Sequence, residues 1–337
     1  KEILELDPTN RDALGSLDAL LGRQGNWSDL AENVERQLSL TDDEEEQTAL
    51  LLRLAEIREQ KMGSVESAIE IYRDVLSNDA SNPAALGALE RLLESSEPQA
   101  AVAGILEPIY RDAGASARLV EVYEIQANHA TAPERRLELF CEIAKLKEFS
   151  LSDLHGAFES YARAFREDPG HPQSKEELER LSAAIGGSDA LAGVYEQVVS
   201  VTDDPQLAVG LLLRAAEIRE DDLGQLDRAI EHYERVLQLD AEHHASADAL
   251  ERLFQQSERY EDLANIYRRK AKMLPAASEQ REQLVKAAAI YEDILDKPVD
   301  AISVYQQVLE IEPDDVESMD RLIELQVQLG KWSALLE

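Results

Sequence analysis

Apolar residues return along this chain at i, i+3, i+4 and i+7, the spacing that lays a single stripe on one face of a helix. Ala68, Ile69, Tyr72, Val75 and Leu76 form one stripe, and Ala229, Ile230, Tyr233, Val236 and Leu237 another. The stripes repeat. AIEIYRDVLSND from Ala68 returns as AFESYARAFRED from Ala157, AIEHYERVLQLD from Ala229 and AISVYQQVLEIE from Ala301, at intervals of 89, 72 and 72 residues. The segments ahead of them keep step: LLLRLAEIRE from Leu50 returns 161 residues later from Leu211, and LFCEIAKLKE from Leu139 and LVKAAAIYED from Leu284 occupy the same register. Turn signals such as Met62-Gly63-Ser64 and Leu223-Gly224-Gln225 part the two segments, so each unit predicts a helical hairpin with a short connection. The other half of each period predicts a more degenerate hairpin, as in DALGSLDALLGRQGNWSDLAENVERQL from Asp12 and DALERLFQQSERYEDLANIYRRKA from Asp248.

These residues resemble the tetratricopeptide repeat family. Ala68, Ala157, Ala229 and Ala301 match the small residue that opens that family's second helix, and Tyr72, Tyr161, Tyr233 and Tyr305 match its aromatic. Ala55, Ala144, Ala216 and Ala288 match the small residue of the first helix, and Pro8, Pro169 and Pro313 the closing proline, which Ala80 and Ala241 replace. Tyr291 keeps the first helix's aromatic, whereas Arg58, Lys147 and Arg219 depart from it. In the degenerate hairpins Leu30, Leu191, Leu263 and Leu335 replace the small residue, and Trp27, Tyr260 and Trp332 share a column, where packing is favoured over ligand stacking. The resemblance implies an all-α, right-handed superhelical solenoid of helical hairpins. Residues 1–337 then read as a single continuous array with a double-hairpin period of about 72 residues.

The second period is 17 residues longer than the others. PQAAVAGILEPIYRDAGAS, from Pro98 to Ser116, carries Val102, Ile105, Leu106 and Ile109 at helical spacing and predicts one additional helix near residues 98–112. Pro108 should kink or shorten it. The chain opens with Ile3, Leu4, Asp7 and Pro8, which match the end of a second helix, and closes on Ser333-Ala334-Leu335-Leu336-Glu337. Neither end has the polar face of a terminal repeat, so a piece of a longer array is expected, with self-association possible through the uncapped ends.

Composition narrows the function. The 34 Lys and Arg against 69 Asp and Glu leave a net charge of −35. Such a chain repels phosphates and argues against nucleic-acid partners. No apolar run is long enough for direct membrane insertion. Compartment is unknown; a soluble, cytoplasmic location is favoured over a periplasmic one. With one cysteine there is no internal disulfide and no thiolate cage, and Cys141, between Phe140 and Ile143, reads as a buried structural thiol. Gly330-Lys331-Trp332-Ser333 lacks the leading glycine of a phosphate loop and a hydroxyl beside the lysine. Gly186-Gly187-Ser188-Asp189 reads as a helix stop followed by an N-cap. His243-His244 lacks the i, i+4 spacing of a metal face. Asp42-Asp43-Glu44-Glu45-Glu46 lacks the alternating ligands of a calcium loop and reads as a helix start, where negative charge suits the macrodipole. Catalytic residues, metal ligands and cofactors are expected to be none.

One column invites a partner. Glu59, Glu148, Glu220 and Glu292 recur at the repeat spacing, with Glu56 and Glu217 one turn earlier, interrupted by Lys145 and Ala289. In the resembled family this position commonly faces the concave groove, where a ladder of like charges would favour a basic partner. Exposed glutamates on an outer face explain the column equally well. The leading expectation is a non-catalytic scaffold or adaptor that binds a protein or peptide of basic character on its concave surface. A structural spacer of a larger assembly, or the recruiting region of an enzyme whose catalytic domain lies outside this segment, are the alternatives.

Overall fold

The structure, a computed structural model, describes residue 4, residues 7–94 and residues 98–330. Trp332, Leu335 and both expected terminal turns lie outside the described residues. The chain forms two compact units, Lys1–Leu178 and Glu179–Glu337.

The first unit stacks α1 (Arg11–Gln24), α2 (Trp27–Ser39), α3 (Glu44–Glu56), α4 (Val65–Asn78), α5 (Pro83–Leu93), α6 (Gln99–Asp112), α7 (Ser116–His129), α8 (Pro133–Lys145) and α9 (Leu154–Glu167). Helix α10 (Pro172–Ile185) straddles the limit between the units. The second unit continues with α11 (Ser188–Val201), α12 (Pro205–Glu217), α13 (Leu226–Leu239), α14 (His244–Gln256), α15 (Tyr260–Met273), α16 (Ala277–Ala289), α17 (Pro298–Ile311) and α18 (Val316–Gln328). The described residues contain no strand. Within each unit, α1 to α9 and α11 to α18, each helix packs on the next in sequence, as short connections between helical segments require.

Local chemistry sets the boundaries. The Asn10, Asn82, Asp153, Asp204 and Asp315 side chains accept the free backbone N–H groups at the starts of α1, α5, α9, α12 and α18. Proline opens α5, α8, α12 and α17, where its missing N–H costs nothing. Gly186 stops α10 with φ +66°, and Gly187 occupies the N-cap of α11. The repeat columns make the core. Both alanine columns have no exposed surface, and Tyr72, Tyr161, Tyr233 and Tyr305 are buried. Alanine lets two helices approach closely; the tyrosine ring fills the space beside it.

The additional helix is α6. It buries Val102, Ala103, Leu106 and Tyr110. Pro108 lies inside it on the exposed side, four residues after the exposed Gly104. The carbonyl that loses its hydrogen bond is on the solvent side, which is why the helix is not shortened. Its pairing is less obvious. Gln126 Nε2 of α7 donates to Glu107 of α6 at 2.7 Å, as Gln37 Nε2 of α2 donates to Asp18 of α1 at 2.9 Å, both across 19 residues. Helix α6 therefore closes the hairpin with α7, and α5 is the helix left without one.

A regular feature appears at the end of each strong first helix. Helices α3, α8, α12 and α16 each finish in a five-residue π-helical turn: Ile57–Lys61, Leu146–Ser150, Ile218–Asp222 and Ile290–Ile294. The turns recur at the repeat intervals. Each is sealed by wide backbone bonds, such as Met62 N to Ile57 O at 3.1 Å and Gln225 N to Arg219 O at 2.7 Å. The next residue but one then takes a positive φ, at Gly63, Ser152, Gly224 and Asp296. Single π-turns inside helices tend to sit where side chains must be re-aimed, and these carry the charged columns.

Candidate protein-binding face

The third residue of each π-turn is the glutamate of the candidate column. Three of the four are described with partners, and none of these three stands free. Glu59 is 13% exposed, Glu220 10% and Glu292 17%. Each accepts the hydroxyl of the column tyrosine on its own second helix: Tyr72 to Glu59 at 2.8 Å, Tyr233 to Glu220 at 3.4 Å and Tyr305 to Glu292 at 3.0 Å. Each also meets an arginine of the helix that follows that second helix: Arg91 of α5 at 3.8 Å, Arg252 of α14, and Arg321 of α18 at 3.5 Å. Glu148 is half-buried in the same place on its turn. The expected bare ladder is thus a set of neutralised struts. Repulsion along the column is offset by an arginine at each of these three steps, and glutamine at all four positions would disturb the hairpins as well as any partner.

A second carboxylate column, which the repeat reading did not pick out, lies on the first helices of the degenerate hairpins. Asp18, Glu107, Glu179 and Glu251 recur at 89, 72 and 72 residues, the signal that could have found them. Asp18 is buried and receives Asn33 Nδ2 at 2.6 Å, Gln37 Nε2 at 2.9 Å and Arg53 Nη1 at 2.6 Å. Glu179 accepts from Tyr195 at 2.7 Å with Arg214 at 3.6 Å, and Glu251 from Tyr267 at 3.0 Å with Lys270 beside it. Alternate helices are therefore linked along the stack by charge: α1 to α3 and α3 to α5 in the first unit, and α10 to α12, α12 to α14 and α16 to α18 in the second.

The residue before each column glutamate points the other way, onto the preceding second helix. Arg58 bonds Glu35, and Lys147 lies 3.8 Å from Glu124. Arg219 reaches Glu196 at 2.8 Å and also bonds Asp189 and Gln225. Tyr291, which keeps the aromatic, donates instead to Asn265 at 3.1 Å. The departures from the family's aromatic are thus one coherent exchange, of an aromatic contact for an ion pair.

These environments shift the phenols. Burial first, then the neighbouring carboxylate, raises Tyr72, Tyr195 and Tyr305 far above the ordinary tyrosine value; burial followed by the adjacent Glu220 or Glu251 pushes Tyr233 and Tyr267 up to about 12. The other candidates are placed as follows. Glu56 and Glu217 are exposed, and Glu217 pairs with Arg214 of its own helix at 3.0 Å. Cys141 is buried, and burial raises its thiol. Trp27 is half-buried with Lys61 Nζ 5.4 Å from its ring centre, and Tyr260 packs against the core of the second unit. His243 caps α14, its Nδ1 accepting Ser246 N at 3.2 Å. Among the described residues no cluster of three or more His, Cys, Asp or Glu could hold a metal, and no helix is long and apolar enough to cross a membrane.

A molecule of stacked antiparallel helix pairs, with small residues at the crossings and side-chain bonds between successive pairs, is a helical-hairpin repeat protein. Residues 49–81 and residues 210–243 each match a tetratricopeptide repeat profile, and the chain is a tandem array of tetratricopeptide-type repeats. No curated protein matches it. Among solved structures it is similar to a human IFIT1 dimer with PPP-AAAA (14% identity, 87% of this chain and 67% of that one, TM-score 0.32). It is also similar to PilF of Pseudomonas aeruginosa (12%, 68% and 97%, 0.28). A third is the C-terminal part of a TPR repeat-containing protein from Cytophaga hutchinsonii (14%, 80% and 99%, 0.30). The chain spans 65% of an IFIT1 monomeric mutant with Gppp-AAAA, less than two thirds of its length. At these scores the likenesses carry no argument about function. Repeats of this family suggest a protein–protein interaction scaffold and are generally non-catalytic.

Proposed function

We propose that this chain is a non-catalytic scaffold that binds a basic protein or peptide on its concave surface, lined by the first helices. The observation that supports this is how charge is divided. The cations Arg53, Arg91, Arg214, Arg252 and Arg321 are engaged by the two carboxylate columns, while the chain keeps an excess of 35 negative charges. The engaged glutamates Glu59, Glu148, Glu220 and Glu292 then act through the field they set, and the exposed Glu56 and Glu217 are the groups a partner meets first. Such a field raises association rates more than it deepens affinity.

The test compares a basic amphipathic helical peptide with its acidic counterpart by stopped-flow fluorescence. The basic peptide should associate faster and slow as salt rises. Glu56→Gln with Glu217→Gln should lower its association rate by roughly two- to fivefold without moving the melting temperature. Equal association of both peptides, or a rate indifferent to salt, overturns the proposal.

A further inference from the structure

A cleft of about 500 Å³ opens in the first unit between the second half of α1, the start of α2 and the end of α3 with its π-turn. Trp27, Leu30 and Ile57 give it an apolar wall; Arg23, Arg53 and Lys61 bring three cations to it. Arg53 is fixed from behind. Asp18, itself buried and held by Asn33 and Gln37, takes one guanidinium nitrogen at 2.6 Å, and nearly half of the Arg53 side chain stays exposed. Arg23 and Lys61 have no carboxylate partner among the described residues; Lys61 stands over the Trp27 ring instead. Two unpaired cations in one cleft run against the pattern of the columns, where acids take up the cations beside them.

The repeat provides an internal control. Arg23 is replaced by Asp112, Ala184 and Gln256 in the equivalent hairpins, Lys61 by Ser150, Asp222 and Ile294, and Trp27 by Ser116, Ser188 and Tyr260; Trp332, which keeps the aromatic in this column, lies outside the described residues. Those hairpins fold without the three residues, so the fold does not require them. Among the described residues, the first period alone brings two such cations and a tryptophan to one cleft.

We propose that this cleft binds an acidic segment of a partner protein. A side-chain carboxylate seats on the pre-aimed Arg53 between Arg23 and Lys61, and an adjacent apolar side chain packs against Trp27. The planar guanidinium presents several parallel N–H donors to a carboxylate, and its anchorage to Asp18 removes part of the ordering cost of binding. The site borders the acidic surface proposed above, with Glu56 at its rim, and is opposite in sign. Its salt response is opposite too. At low ionic strength the field of the whole chain, reaching about 30 Å at 0.01 M, repels an acidic segment before it arrives; at 0.15 M that reach falls to about 8 Å, while contacts inside the cleft are screened far less. Affinity should therefore rise with salt over this range.

The probe is a fluorescein-labelled Asp-Glu-Leu-Phe-Glu-Asp peptide, amidated so that it has no terminal carboxylate, followed by fluorescence anisotropy on the full chain. We expect saturable binding that strengthens from 0.01 to 0.15 M salt (about 30 to 8 Å of screening). The pair Arg23→Gln and Lys61→Gln should weaken it roughly tenfold or more. The pair Arg36→Gln and Arg228→Gln, which removes the same charge from exposed positions elsewhere, should change it less than about twofold. Glu56→Gln, at the rim, should strengthen it, the reverse of its effect on a basic peptide. Absence of saturable binding at millimolar peptide, equal losses in the two double variants, or equal binding when Lys replaces every Asp and Glu of the probe overturns the proposal. None of these outcomes bears on basic-peptide binding elsewhere, so the two readings fail independently.

Discussion

Arg219 is the side chain that most changes the reading of single residues in this protein. Sequence marks it only as a departure from an aromatic column, yet its side chain is 2% exposed between α11, α12 and α13. Its acceptors are unequal: Asp189 is largely exposed and Glu196 about one third exposed and shared with His232 at 3.0 Å. Truncation leaves carboxylates that water can partly reach, so Arg219→Ala should cost about 2–4 kcal/mol, from lost charged hydrogen bonds and lost packing of the stem. Arg58→Ala, with more of its side chain in water, should cost under about 1 kcal/mol. Urea unfolding of the two variants checks the contrast; equal losses would remove the buried-strut reading. The same scale holds a correctable weakness. Ser152 and Glu258 sit at φ +56° and +54°, where the equivalent positions carry Gly63, Gly224 and Asp296, or Gly25, Gly114, Gly186 and Gly330. A side chain there is strained by about 1–2 kcal/mol, against a smaller entropic cost of glycine in the unfolded chain. Ser152→Gly and Glu258→Gly should each therefore raise stability by about 0.5–1 kcal/mol, seen as a higher urea midpoint with an unchanged slope.

Within the hairpin, the element that recurs is a carboxylate on the first helix bonded to a tyrosine hydroxyl on the second. It spans 13 residues in the strong hairpins and 16 in the degenerate ones of the second unit, as in Glu220 with Tyr233 and Glu179 with Tyr195. The neutral phenol is favoured in the folded state, so the folded pKa of Tyr233 and Tyr267, about 12, lies above the unfolded value near 10. Below pH 10 both states keep the proton and the contribution is whole. Between about 10 and 12 only the unfolded chain releases it, so stability falls as pH rises through this window. Alkaline difference absorption should show these tyrosines ionising together with loss of helical circular dichroism. Ionisation complete near pH 10 with helicity intact would contradict the assigned hydrogen bonds.

For the molecule as a whole, −35 charges on stacked helices with small crossings pose one problem: an acidic chain must be kept from loosening by its own repulsion. The two carboxylate columns answer it locally by drawing arginine to the contacts between alternate helices. Because those links are partly sheltered while the free acids are not, added salt should screen the surface repulsion more than it weakens the links. Thermal stability is therefore expected to rise from low to physiological ionic strength, and a melting temperature that falls over that range would count against this balance. The repeat spacing runs across residue 178 without interruption, so the same device recurs in both units.

Periodicity by itself determined the helices, the hairpins, the family and the added helix near residues 98–112. Each of these follows from local spacing of apolar, small and turn residues, which the chain writes out several times. It also placed Glu59, Glu148, Glu220 and Glu292 in one column. What that column does was decided only by tertiary structure. A π-turn widens the helix by one residue, and the direction of every side chain on it depends on that widening; the apolar pattern, carried by the rest of the helix, is unaffected and so cannot report it. The arginines that meet the glutamates, Arg91, Arg252 and Arg321, lie 29 or 32 residues further on and belong to another helix, a distance at which sequence shows a spacing but no contact. The cleft at Trp27 is a case of the same kind. Three residues scattered over 39 positions converge because α1, α2 and α3 pack together, and only that packing sets unpaired cations against an aromatic wall.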